Sequence, residues 1–237
     1  MKDKILKIIP AAIFLTLAIA FIVKFGGRAI LKSYIETGIG DCRKIPILCM
    51  APSEEINNLE IDKEYIAGLL EYKFPKIDIS IPKGFDIFQE KIKKTYYKKF
   101  PRRNRGSAIY IIHMEPDFFV SLFPEIRKQG TNSDFDFMKR TMYAKESDIK
   151  NHTDAFFVIM KSIFIPDLGA QKNVKMAQFS ISDKRGFINY NLSGPDRYFD
   201  CIVFNGQSNF FAIYIKDKGG SLDLNKVLSI ISTAKAR

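Results

Sequence analysis

The chain has 237 residues, 46% of them hydrophobic and 27% charged, with 21 Phe and no Trp. That mix excludes a disordered tail, a collagen-like repeat and a disulfide-dense miniprotein, and the length allows one ordinary domain with a small appendage. Thirty-seven Lys and Arg against 26 Asp and Glu give a formal net charge of +11, which points toward an anionic partner.

The amino terminus carries the clearest signal. Residues Ile8 to Val23 hold one polar side chain, Thr16, and no charge. Lys2, Lys4 and Lys7 precede the run, and Lys24 and Arg28 close it. Extended back to Ile5, a helix here crosses about 30 Å of hydrocarbon with slight thinning. Pro10 falls near the first turn, where a missing N–H costs little. Residues 1–24 are therefore expected to form a transmembrane signal-anchor. The competing reading is a signal peptide cleaved after Ala18-Ile19-Ala20, which would release a secreted or periplasmic protein. Phe21, Ile22 and Val23 carry the apolar run past that point and favour the anchor. Lysines and arginines balance across the run, so the short amino-terminal tail decides orientation: tail in the cytoplasm, bulk of the chain outside a bacterial-type inner membrane.

Residues 25–72 read as a connecting segment, broken by Gly26-Gly27, Gly38 and Gly40. Cys42 and Cys49 enclose six residues, and Pro46 helps turn them. A disulfide there would stabilise by about 2–3 kcal/mol and needs an oxidising compartment. Two independent buried thiols are the alternative, and zinc lacks the remaining ligands. Ser53 before Glu54-Glu55 has the form of a helix cap, and residues 60–71 suit a short amphipathic helix.

Residues 73–237 read as an α+β globular domain. Ile77, Ile79 and Ile81 alternate with polar residues as a half-buried strand, and Pro82-Lys83-Gly84 turns into an extended run from Phe85 to Tyr97. Ser107 to Met114 is a third strand. The period then changes: Phe118, Phe119, Leu122, Phe123 and Ile126 sit at helical spacing before Gly130. A second helix carries Phe135, Met138 and Met142 behind Ser133 or Asp134, and a third carries Phe156 to Phe164 before Pro166. Two hairpins follow, Val174–Ile181 with Phe187–Leu192 around residues 183–186, and Tyr198–Phe204 with Asn209–Ile215 around Asn205-Gly206. Cys201 reads as a core thiol. Leu224, Val227, Leu228 and Ile231 mark a closing amphipathic helix that starts near Ser221 or Asp223. Short loops between neighbouring strands predict a mostly antiparallel sheet flanked by helices.

The strand, Pro-x-Gly turn and aromatic of Lys76–Phe85, with the later hairpins and single closing helix after Ser221, resemble the PsbP/DcrB/Mog1-like superfamily over residues 73–236. That resemblance rests on element order. It implies a central antiparallel sheet between helices and an accessory or binding role rather than catalysis.

Catalytic signatures are absent: there is no GxSxG, HExxH, CxxC or phosphate-binding loop. No cofactor is expected. Of two histidines, His113 stands with Glu115 and Asp117 at strand spacing, a weak metal candidate that Pro116 interrupts. His152 falls in a polar junction. Asn132 to Asp136 has a calcium-loop outline without the Gly and closing Glu, and reads better as a helix cap.

The one unusual polar feature is residues 91–105: Lys91, Lys93, Lys94, Lys98, Lys99, Arg102, Arg103 and Arg105, no acid, and Tyr96, Tyr97 and Phe100 interleaved. Such a mix suits an anionic membrane surface or polymer and, less well in an exported domain, nucleic acid. A solvated strand and loop is the plain alternative. Residues 1–24 contribute +3 and residues 91–105 contribute +8, which leaves the rest of the chain neutral. The expectation is thus a membrane-anchored, non-enzymatic envelope module for a protein or anionic partner. A small envelope hydrolase or metal enzyme near His113, and a phosphate-polymer or nucleic-acid binder through residues 91–105, are the competing readings.

Overall fold

A computed structural model describes residues 50–57, 61–74, 76–85, 88–92, 95–101, 106–164, 173–194, 197–206 and 209–237, with Ala29 and Ser33 as isolated positions. Over residues 88–92, 95–101 and 209–210 it describes the backbone alone. The Ile8–Val23 run and the Cys42/Cys49 pair lie outside these residues. No helix among the described residues is long and apolar enough to cross a membrane.

The chain divides into two compact units, one of residues 50–143 and 171–237, the other of residues 1–49 and 144–170. The first is an α+β unit. Its strands are β1 (Glu54–Asn57), β2 (Leu70–Lys73), β3 (Ile77–Ile81), β4 (Phe88–Ile92), β5 (Thr95–Pro101), β6 (Ala108–Met114), β7 (Lys175–Ile181), β8 (Lys184–Asn191), β9 (Tyr198–Asn205), β10 (Asn209–Lys216) and β11 (Lys235–Ala236). Its helices are α1 (Lys63–Ala67), α2 (Phe118–Leu122), α3 (Asp134–Tyr143) and, after α4 of the other unit (His152–Phe164), α5 (Leu224–Ser232). Eight strands form one sheet in the order β1-β7-β8-β9-β10-β6-β5-β4, antiparallel except for the parallel β1·β7 pair. Three more form an antiparallel sheet, β11-β3-β2.

Strand period two splits the large sheet into two faces. Ile188, Cys201, Val203, Ile213 and Ile215 join Val227, Leu228, Ile230 and Ile231 of α5 in one core. On the opposite face the Phe135 ring of α3 packs on Phe187 (5.8 Å) and Phe204 (5.3 Å), with the Arg185 guanidinium 3.7 Å above it. Helices thus flank the sheet on both sides, and Cys201 is the core thiol expected, its pKa raised well above the ordinary value by burial and then by Asp200. The closing helix starts where Asp223 Oδ1 accepts from Lys226 N at 2.8 Å.

Several local expectations are corrected. Ser53 heads a strand, not a helix: its N–H bonds Met176 O at 3.0 Å, and the free edge of β7 recruits Glu54–Asn57 as a parallel partner. Residues 60–71 give only α1, capped by Asp62, because Leu70 onward pairs with β3. The expected connecting segment therefore contributes two strands, β1 and the start of β2, to the sheets. The extended run from Phe85 to Tyr97 breaks into β4 and β5, a hairpin. The helix from Phe118 stops at Leu122, since Pro124 has no N–H to continue it, and a 3-10 stretch Pro124–Gln129 carries on to Gly130 at φ 79°. The β7–β8 turn uses Ser182 (φ 52°) and Asp183 alone, so β8 begins at Lys184, three residues earlier than expected. Gly186 belongs to the strand, where a Cβ would strike Ile202 O and the Phe179 ring.

The second unit contributes α4 and a 3-10 turn, Glu146–Asp148. Asn151 and Asp154 cap α4 reciprocally: Asn151 Oδ1 accepts from Asp154 N at 3.0 Å, and Asp154 Oδ2 accepts from Asn151 N at 3.2 Å. Exposed His152 opens this helix, so it is a first-turn residue rather than part of a junction. Ile149, Ala155 and Val158 form the unit's small core.

Candidate functional site

The basic run coincides with the last hairpin of the large sheet. Lys91 lies in β4, which forms the sheet edge, and Tyr96 to Phe100 lie in β5. Register sets Tyr96 beside His113, Lys98 beside Ile111 and Lys99 beside Tyr110. Lys93, Lys94, Arg102, Arg103 and Arg105 lie outside the described residues. The paired residues Ile92 and Thr95 lie at the end of the sheet where β6 finishes, β9 finishes and β8 begins.

At that same end lies a small open cleft, lined by Lys76, Ile77, His113, Lys184, Asn205, Phe211, Ala234 and Ala236. Its position follows from the topology: β3 and β11 bring Ile77 and Ala236 up against the ends of β6, β8, β9 and β10. Buried Phe211, Ile77 and Ala234 make an apolar floor. Lys184, only 6% exposed along its side chain, donates from Nζ to Asp183 Oδ1 at 2.6 Å, and this hydrogen bond holds the Asp183 carboxyl below its ordinary range. Burial lowers the His113 pKa. Glu115 opposes that shift and Lys76 reinforces it. His113 thus shares the cleft lining with Lys76 and Lys184. Glu115 reaches His113 electrostatically, whereas Asp117 stands at the start of α2 with left-handed backbone (φ 57°) and makes no side-chain capping bond. Among the described residues no three His, Cys, Asp or Glu side chains form a group able to hold a metal ion. The sequence candidate His113, Glu115, Asp117 is thus not assembled into a metal centre.

A second polar cluster crosses the face opposite α5. Register lines up Asn189, Asp200, Tyr214 and Tyr110 on β8, β9, β10 and β6. Tyr198 precedes Asp200 on the same face and stacks on Tyr214, ring centroids 6.2 Å apart. Tyr214 in turn meets Tyr110 at 5.9 Å. Asn189 and Tyr198 are each 2% exposed, yet Asn189 Oδ1 and the Tyr198 hydroxyl have no hydrogen-bond partner among the described residues. Burial pushes the Asp200 carboxyl up to about 7 and, with Asp200 beside it, raises the Tyr198 phenol far above its usual range.

Two further buried charges are structural. Asp134 Oδ1 accepts from Phe119 N (2.8 Å) and Val120 N (3.1 Å), supplying the cap that Asp117 fails to give α2. Its own helix is capped by Ser133, whose hydroxyl accepts from Asp136 N at 3.1 Å, so the Asn132–Asp136 stretch is a helix start, as expected. Lys161 in α4 is fully buried and donates from Nζ to Ala144 O at 3.0 Å. Burial first, and Lys145 second, bring its ammonium down to about 7.

Lys76, Lys184 and the row through Asp200 were not singled out from the sequence. The row did have a signature. Asn189 and Asp200 are polar residues inside otherwise apolar strands, in phase with each other only once the β8–β9 register is known.

No family model matches the chain, and no curated protein matches it. Among solved structures it is similar to a crystal structure from Bacteroides thetaiotaomicron VPI-5482, at 10% identity and a TM-score of 0.34, over 68% of this chain and 45% of that one. The chain thus spans less than half of that protein's length, and a likeness of this size bears on neither family nor function.

Proposed function

We propose that this chain is a membrane-tethered, non-enzymatic module of the cell envelope whose globular part holds an anionic partner through the basic β4–β5 hairpin. The observation that carries the reading is a coincidence of place. The paired residues Ile92 and Thr95, which flank Lys93 and Lys94 in sequence, are at the same end of the sheet as the apolar-floored cleft with Lys76, His113 and Lys184. Phosphate groups of lipid headgroups or of an envelope polymer meet lysines there, and the apolar floor takes adjoining aliphatic matter. The tether is the Ile8–Val23 run, and the PsbP/DcrB/Mog1-like element order agrees with an accessory role.

The full chain in zwitterionic nanodiscs should bind inorganic polyphosphate, and Lys93, Lys94, Lys98 and Lys99 changed together to Gln should abolish most of that binding. Nanodiscs containing phosphatidylglycerol separate the two phosphate sources: lipid engagement competes with the soluble polymer, polymer specificity does not. Equal affinity in the wild type and the fourfold variant rejects the reading. The exported orientation has its own test. Thiol reagent should leave Cys42 and Cys49 unlabelled in unreduced protein, and labelling of both removes the oxidising compartment from the account.

A further inference from the structure

Independently of the basic hairpin, the row across β8, β9, β10 and β6 poses a problem of chemistry. Two oxygen-bearing groups on adjacent strands, the Asn189 carbonyl and the Tyr198 hydroxyl, have no hydrogen-bond partner among the described residues, and the Asp200 carboxylate stands across the register from Asn189 and within electrostatic reach of Tyr198. Two of those side chains are 98% buried, where an unpaired polar atom ordinarily costs about 1–3 kcal/mol. The strands around them are well determined by register, with seven or eight paired residues each. Nothing in the backbone demands polar residues at these positions, since neighbouring places on the same face carry Ile202, Ala212 and Ile112.

The groups differ from an anion site in kind. Two are acceptors when Asp200 is ionised, and the third can accept. No described cation offsets the burial of Asp200. Lys216, across from Tyr198 in the register, is itself partnered. The row is deep at Asn189 and Tyr198 and more exposed at Asp200, Tyr214 and Tyr110, so it runs from buried oxygens to partly open aromatic rings. A ligand matched to it is a donor without acceptors, carries one positive charge for the single carboxylate, and has a face for the rings. Ammonium groups over tyrosine gain from the ring quadrupole as well as from the carboxylate. A hard metal ion would need a larger set of oxygens than this row supplies.

We infer that Asn189, Tyr198 and Asp200, walled by Tyr214 and Tyr110, form a binding site for the primary ammonium group of a small organic amine. Asp200 supplies the counter-charge, Asn189 Oδ1 and the Tyr198 oxygen take the remaining N–H donors, and the rings cover the carbon next to nitrogen.

Calorimetric titration of the full chain with butylammonium tests this. Saturable one-to-one binding is expected, with a rise in melting temperature, and 1-butanol, the same body without the charge, should not bind. Asp200→Asn should weaken butylammonium at least tenfold, and Tyr198→Phe, which removes only an oxygen, should weaken it several-fold while leaving the fold intact. If Asp200→Asn does not fold, Tyr198→Phe with the butanol control still decides. Absence of saturable binding at millimolar amine, equal binding of 1-butanol, or full affinity in folded variants overturns the site.

Discussion

Burial disfavours the charge of both Asp200 and Lys161, and they impose opposite pH dependences. The Asp200 carboxyl titrates near 7 in the folded chain and at an ordinary carboxylate value when unfolded. Between those values the folded state binds the extra proton, so its contribution is complete at about pH 4 and is lost as pH rises through 7. Lys161 behaves inversely. Its ammonium is at about 7 folded and near 10.5 unfolded, so its contribution is complete above 10.5 and disappears as pH falls through 7. Denaturant titrations across pH should therefore flatten in the acid limb for Asp200→Asn and in the alkaline limb for Lys161→Met. A wild-type curve unaltered by either change contradicts these assignments. Gly186 is a residue-scale constraint of another kind, because the close approach of β9 leaves no room for a Cβ. Gly186→Ala should lower stability by about 1–3 kcal/mol through forced strand displacement, measured as a reduced urea midpoint at unchanged slope.

At the scale of elements, α2 shows how a short helix is held by a neighbour. Five residues with an unfavourable left-handed cap have little stability of their own. Asp134 reaches across from α3 to take two of the orphaned N–H groups. Asp134→Ala should cost about 1–2 kcal/mol, whereas Asp134→Asn keeps the accepting oxygen and should cost far less. Equal losses in the two variants would mean that packing, not the cap, holds α2. The α5 end is fixed similarly: buried Asp217 accepts from Leu222 N at 2.8 Å, and Arg197 donates to Leu222 O at 2.6 Å. Much of this level was legible in the sequence. The alternation in Ile77–Ile81, the Asn205-Gly206 hairpin and the stripe of α5 depend on local period and turn chemistry, and the structure has them where expected. What was not legible depends on distant partners. Glu54–Asn57 is a strand because β7 offers an edge 123 residues away in sequence. Leu70–Lys73 is a strand because β3 does, and Asp134 caps a helix other than its own.

For the whole molecule the same distinction separates the two candidate sites. The basic run could be read directly, because eight like charges in fifteen residues need no fold to be noticed. The cleft beside it could not, since Lys76, His113 and Lys184 are brought to one end of the sheet only by the crossing of three strands' ends. The row through Asp200 was equally hidden, as its members are spread over four strands. The proposed division of labour is one charged end for an anionic partner and one sheet face for a small cation, on a domain tethered by its amino terminus. Its central claim concerns the charged end. Lysines near an anionic surface contribute about 1 kcal/mol each, so four neutralised lysines should weaken binding by roughly 100- to 1,000-fold. The most direct measurement is the salt dependence of polyphosphate affinity for the full chain in zwitterionic nanodiscs. The account predicts a steep linear fall of log affinity with log salt, and a distinctly shallower line for the Lys93, Lys94, Lys98, Lys99 to Gln variant. Parallel lines of equal affinity would contradict it.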